Sequence, residues 1–153
     1  MVELVLPNDA NTLGNVLGGR VLHWIDLAAA IVAHRHCRSE TVTVSLDQMS
    51  FLAPIRVGQM AVIAARMTYT GHTSMEIRVD VQSEDLRTGE RKQTSTAYLT
   101  FVAIDKRGRP RPVPPLLLET EEERREARAA EARRDARLKA RAHHPPIRET
   151  MHR

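Results

Sequence analysis

The chain has 153 residues, 42% hydrophobic and only 3% aromatic, with a formal net charge of +4 and a pI near 9.8. That length fits one domain of ordinary size, and a single cysteine, Cys37, excludes any internal disulfide. From Glu119 onward stand ten Arg or Lys and eight Asp or Glu, leaving 13 and 11 for residues 1–118, so neither part concentrates charge as a nucleic-acid binder does.

Glu3 to Leu6 is a short apolar stretch stopped by Pro7, which predicts an edge strand. The opening MVELVLPND lacks the basic and long apolar regions of a signal peptide, and no run of about 18 apolar residues offers a membrane span, so the expected setting is cytoplasmic. A loop over 7–19 follows. Val21 to about His36 then reads as a buried central helix, because Val21, Leu22, Ile25, Ala28, Ala29 and Val32 recur at spacings of three and four. Ala28-Ala29-Ala30 keeps that helix slim enough to lie closely against a sheet.

After Glu40 the period changes to two. Val42, Val44 and Leu46 alternate with Thr41, Thr43 and Ser45, and a shift of register to Met49 and Phe51 suggests a bulge before Pro54. Residues 60–70 form a second long strand, broken at Gly71. Met75, Ile77, Val79 and Val81 alternate with polar residues in the cleanest strand of the chain, and Thr88-Gly89 turns into a last strand from about Lys92 to Ile104. One helix with about five antiparallel strands wrapped on it is an α+β layer, and its open edges favour pairing with a second copy.

Pro110, Pro112, Pro114 and Pro115 end the core at about residue 118. Residues 119–142 then read as a charged helix with a capping box of Thr120 and Glu123 and with Glu121–Arg125 and Asp135–Lys139 as pairs four apart. Almost without an apolar face, it reads as a solvent-exposed helix or one lying across a neighbouring subunit. Residues 143–153 read as a disordered tail.

The chemistry concentrates in NDANTLGNVLGG, residues 8–19. Gly18 and Gly19 stand where the first N–H groups of the helix lack partners, and such a terminus favours developing negative charge. Asn15 offers an amide a few residues upstream. Asp26 lies about two turns into an otherwise apolar helix, where a carboxylate is costly unless partnered or functional. A plain capped loop and an oxyanion hole with a general base both remain open on these residues alone. His34, His36 and Cys37 do not share a helical face, so no metal site is expected.

DANTLGNVLGGRVLHWIDLAAAIVAHRHC, then VTVSLDQMSFLAPIRVG and YTGHTSMEIRVDVQSEDLRTGERKQTSTAYLTFVAID, resembles the acyl-CoA thioesterases of the hotdog fold. Within them the chain is similar to the cytosolic acyl-CoA hydrolase group, which takes in the brain-type enzyme and short bacterial relatives. The resemblance spans about residues 5 to 118 and, more loosely, the charged helix. It implies a single hotdog domain that dimerises into a continuous sheet with two active sites at the interface, and commonly a trimer of dimers, a hexamer. It implies an acyl-CoA substrate and no cofactor.

The same resemblance assigns roles. Asn15 and Asp26 act together from opposite subunits, Asp26 activating water or attacking through an anhydride, and Gly18 and Gly19 polarise the thioester carbonyl. Gly71, His72, Thr73 and Ser74, with Arg56, correspond to the region that binds part of the CoA. Gln59 departs from the acid usual after Val57-Gly58. The competing readings are a hotdog hydratase or dehydratase, with His23 sharing the face of Asp26, and a non-catalytic acyl-CoA binding protein using the charged helix as a docking arm.

Overall fold

The computed structural model describes residues 1–47 and 49–143. In chain order it places strand β1 at Val2–Leu4, a 3-10 turn at Pro7–Asp9, helix α1 at Gly18–Cys37, and β2 at Thr41–Leu46. Strands β3 at Ser50–Phe51, β4 at Met60–Thr70, β5 at Ser74–Glu84 and β6 at Arg91–Ala103 follow, and helix α2 spans Glu121–His143. Every strand pairing is antiparallel, in the order β1-β4-β5-β6-β2, with the two-residue β3 also pairing β6. This is the expected α+β layer of one helix on a five-strand path, with β3 as a short sixth strand.

The core follows from the period-two pattern. Met75, Ile77, Val79 and Val81 are fully buried, and the register sets Met75 opposite Phe101, Ile77 opposite Leu99 and Val79 opposite Ala97. Against this face α1 buries Val21, Trp24, Ile25, Ala28, Ala29, Ala33 and Cys37. Leu22, expected on the inward stripe, is instead exposed, and Trp24 takes the inner place. With only Ala28 and Ala29 at its middle, the helix carries little bulk between its backbone and the sheet. It starts at Gly18, earlier than the apolar run suggests, because Leu17 already has the extended backbone of a cap. Arg38 ends it in the left-handed region at φ 52°, its N–H donating to the carbonyl of His34 at 2.8 Å.

Strand β2 departs from expectation in two ways. Its register shift falls between Thr43 and Ser45, not just before Pro54. Val42, Val44 and Leu46 remain 41%, 37% and 43% exposed, because β2 closes the path at an edge of the sheet and none of the described residues covers these side chains fully.

The chain divides into two units, Met1–Leu117 and the part from Leu118 onward. In the second, Thr120 Oγ1 accepts from the N–H of Glu123, and Glu123 Oε2 accepts from the N–H groups of Glu119 and Thr120, at 2.7 to 3.1 Å. The capping box is therefore as expected. The charge pairs differ: Glu121 pairs with Arg124 and Arg128, not Arg125, and Asp135 lies 3.9 Å from Arg134, not paired with Lys139. Positions three and seven along share the face of Glu121 as readily as position four. Helix α2 runs through His143, so the expected tail from 143 lies, but for that residue, outside the described residues. No helix among the described residues is long and apolar enough to cross a membrane.

Candidate active site

The loop ahead of α1 is laced down residue by residue. Asp9 is buried, takes the N–H of Leu6 on Oδ2 at 3.1 Å, and pairs through Oδ1 with Arg20 at 2.9 Å. Its carbonyl accepts from the N–H of Leu17 at 2.9 Å, so one residue fixes both the start of the loop and the cap of the helix. Val16 and Val57 donate to the carbonyls of Ile55 and Gly14, tying the loop to the segment before β4. Gly14 makes the bend at φ 79°, a conformation that favours glycine.

Two asparagines face each other in this loop. The Oδ1 of Asn11 accepts from the N–H groups of Leu13 and Asn15 at 2.9 and 3.2 Å, while the N–H of Asn11 donates to the carbonyl of Asn15 at 2.8 Å. With its oxygen anchored twice, the Asn11 side chain leaves its Nδ2 donors without a hydrogen-bond partner among the described residues. Asn15 forms an isolated bridge with Arg56 and lines a cleft beside Gly18.

The cleft measures about 360 Å³ and lies at the start of α1, between Val16, Gly18, Val21, Phe51, Ile55 and Ser95 among others. The N–H groups of Gly18 and Gly19 have no backbone partner among the described residues, since the first bonds that close the helix run from Arg20 and Val21 to the carbonyl of Leu17. A Cβ on Gly18 would lie 3.4 Å from the Phe51 ring, whereas one on Gly19 would meet nothing within 4 Å. The arrangement is two unpaired donors at a helix N-terminus, beside an apolar cleft, which suits a carbonyl oxygen that gains charge.

Asp26 is half-buried on α1, and Oγ1 of Thr43 donates to its Oδ1 at 2.8 Å across to β2. Thr43 carries no sequence signal beyond its place as a polar residue in an alternating strand, and it belongs to the site only through this contact. His23 makes no hydrogen bond among the described residues, and nothing pairs it with Asp26. Eight residues of helix separate Gly18 from Asp26, about 12 Å along the axis. The Asp26 side chain tilts back toward the N-terminus but recovers only part of that. Within one chain, then, the donors and the carboxylate do not converge on a single carbonyl.

The expected CoA residues divide likewise. Arg56 stands beside Asn15, its N–H donating to Gln59 Oε1 at 2.9 Å in a tight turn, so the departure at Gln59 has only a local effect. Gly71, His72 and Thr73 form the turn at the far end of β4, about 33 Å away along an eleven-residue strand. Much of this turn is already engaged. Gly71 donates to the carbonyl of Ser74, the carbonyls of His72 and Thr73 accept from Val113 and Ala103, and Thr70 Oγ1 accepts from Leu116. A polar cleft of about 340 Å³ beside Arg56, Gln59, Asp85, Glu90 and Lys92 shares Ala53 and Pro54 with the apolar one.

Among the described residues no group of three or more His, Cys, Asp or Glu side chains is placed to hold a metal. His36 instead shares a hydrogen bond through Nε2 with the carbonyl of Pro114 at 2.7 Å.

Comparison with known proteins bears on this site. Residues 13–90 match the family model described as the Thioesterase superfamily. A Bacillus subtilis protein named as an uncharacterized acyl-CoA thioester hydrolase is 46% identical over 119 residues, 78% of this chain and 69% of that protein. The cytosolic acyl coenzyme A thioester hydrolase of mouse is 39% identical over 127 residues, 82% of this chain but only 33% of that longer protein. Among solved structures, an apo-hexameric acyl-CoA thioesterase superposes with a TM-score of 0.88 at 44% identity, covering 93% of this chain and 91% of that one. The Staphylococcus aureus acyl-CoA hydrolase in complex with butyryl coenzyme A, coenzyme A and coenzyme A disulfide gives 0.86 at 33% identity, covering 94% and 87%. That enzyme was also solved with an Asn, an Asp and a Thr each changed to Ala, at positions 15 and 17 residues apart in that order.

Proposed function

The chain belongs to the thioesterase superfamily, and from that premise we propose that it hydrolyses acyl-CoA thioesters to a carboxylic acid and CoA at a site completed by a second copy of itself. The observation that carries this reading is the Asp26–Thr43 hydrogen bond. Asn11, Asp26 and Thr43 stand 15 and 17 residues apart, the same intervals as the three residues substituted in the S. aureus acyl-CoA hydrolase.

The chemistry follows from the roles these groups can fill. Asp26 takes a proton from a water as its oxygen attacks the thioester carbon. Thr43 holds the carboxylate in one orientation while its second oxygen stays available. The oxyanion is met by the N–H groups of Gly18 and Gly19 at the positive end of α1. Collapse breaks the carbon–sulfur bond and expels the thiolate, a leaving group good enough to need no strong acid. An asparagine amide steadies the carbonyl or the water. The intervals favour Asn11 for that task, and its anchored oxygen pre-orients the donors. Asn15 keeps the competing claim that it lines the cleft.

Assembly resolves the distances. A two-fold axis pairing the open edges of two β2 strands antiparallel exchanges the ends of the protomers. The α1 N-terminus of one then runs beside the α1 of the other, where Asp26 lies. The Gly71–Ser74 turn of one likewise comes to the end that carries Arg56 of the other, so that one CoA can touch both. Exposed Val42, Val44 and Leu46 on β2, with Leu27 and Ile31 on α1, supply the apolar surface for that contact. A trimer of such dimers is the proposed full assembly. The direct test is thiol release from acyl-CoAs by the purified protein beside its Asp26→Asn variant; near-full turnover by the variant would sink the reading.

A further inference from the structure

Ser95 is fully buried on β6, and its hydroxyl has no hydrogen-bond partner among the described residues. Buried hydroxyls are seldom left so, because the lost hydration goes uncompensated. Its position gives the vacancy a direction. Ser95 pairs directly with Phe51 across β3 and β6, so the two side chains lie on one face, and both line the cleft beside Gly18. The neighbouring Thr94 hydroxyl, by contrast, donates to the carbonyl of Val81 at 3.0 Å. Most of the remaining wall is apolar, with Val16, Val21 and Ile55 facing the same space.

We infer that Ser95 is a specificity-determining residue that hydrogen-bonds an oxygen carried by the acyl group, so that the cleft favours oxygenated acyl chains over plain hydrocarbon chains of equal length. The inference rests on the acyl-CoA thioesterase reading of this site. The CoA half of such a substrate is large and charged and stays in solvent, so the acyl end is the part that reaches a buried floor. A hydrocarbon chain lying there leaves the hydroxyl unmatched. A hydroxyl or keto oxygen near the thioester satisfies it, and a site built around such a bond discriminates strongly against the analogue that lacks it. Phe51 stands at the mouth of the cleft: the residue is 56% exposed on a strand of two residues, and its ring lies 3.4 Å from where a Gly18 Cβ would stand.

The test compares thiol release from butyryl-CoA and 3-hydroxybutyryl-CoA by the unsubstituted protein and by Ser95→Ala, reading the ratio of kcat/KM values, which partial loss of folded protein does not move. The expected result is a preference for the hydroxyacyl substrate that falls at least tenfold in Ser95→Ala. The melting temperature of the variant should be no lower, since the hydroxyl removed had no partner to lose. An unchanged ratio overturns the inference. Equal losses on both substrates also overturn it, because they place the hydroxyl against the pantetheine arm that the two share. If the unsubstituted protein releases thiol from neither these nor longer acyl-CoAs, the thioesterase reading fails and the inference with it; release from longer chains only, or hydrolysis of both at an unaltered ratio, removes the inference alone.

Discussion

Thr43 on the edge strand donates its hydroxyl proton to Asp26 on the central helix at 2.8 Å. The bond spans two elements that meet only because α1 lies flat against the sheet, and it fixes a carboxylate on a helix otherwise given over to apolar side chains. Replacing Asp26 by Asn keeps the shape and removes the proposed base, so kcat should fall at least ~100-fold, the usual scale for losing a general base. Thr43→Ala leaves the base but frees its orientation, and about a tenfold loss is expected, equivalent to one hydrogen bond. Steady-state thiol release measures both, and an equal or larger loss for Thr43→Ala would assign Thr43 a direct part in the reaction.

The two loop asparagines separate by the same assay. Asn11→Ala removes an amide whose oxygen holds two backbone N–H groups, so turnover should fall ~100-fold, as on loss of a donor to the oxyanion. Asn15→Ala should cost less than about tenfold, because its backbone, not its side chain, closes the turn with Asn11. The reverse order returns the amide role to Asn15.

The exposed apolar edge makes a prediction about assembly. Val44→Glu places a charge in the middle of β2, at a position exposed in the single chain and covered in the proposed dimer. The variant should keep its circular dichroism yet sediment as a monomer, with thiol release abolished. A folded, active oligomer would remove β2 from the interface.

Helix α2 carries a pH signature. The N–H of Glu119, then that of Thr120, holds the Glu123 carboxyl below the ordinary range, and the guanidinium groups of Arg124 and Arg128 do the same for Glu121. A depressed pKa means the contribution to helix stability is present above the unfolded value, about 4.3 for Glu, and is lost as pH falls through the folded one. A carboxyl NMR titration should give Glu123 a midpoint below that value, and the protection of the Glu119 and Thr120 amides relative to their intrinsic exchange should fall as pH drops through that midpoint. A midpoint at or above the ordinary value contradicts the cap.

How far the sequence alone reaches depends on which pattern a residue belongs to. Strand β5 was legible because Met75, Ile77, Val79 and Val81 are buried at every second place, and burial is what period two reports. Asp26 stood out as one acid in an apolar helix. Thr43 did not, since a polar residue on the alternate face of an edge strand looks the same whether it meets solvent or a carboxylate. Asn11 and Asn15 share one turn-prone loop, and only the geometry shows which oxygen the backbone occupies. Ser95 lies within the polar run QTSTA, where nothing local marks the hydroxyl that goes unmatched. The wrong places assigned to Leu22 and to the β2 bulge have one cause: spacing identifies a face but not which neighbour covers it.

The central claim is that Asp26 of one protomer and Asn11 with the α1 N-terminus of another make one site. Mixing tests it most directly: Asp26→Asn and Asn11→Ala protomers, each nearly inactive alone, are co-refolded in equal amounts and assayed for thiol release. Random pairing puts half of the protomers into mixed dimers, each with one intact site, so activity should rise to about a quarter of that of the unsubstituted protein. A mixture no more active than either variant, despite verified exchange of protomers, would place the whole site within a single chain and contradict the account.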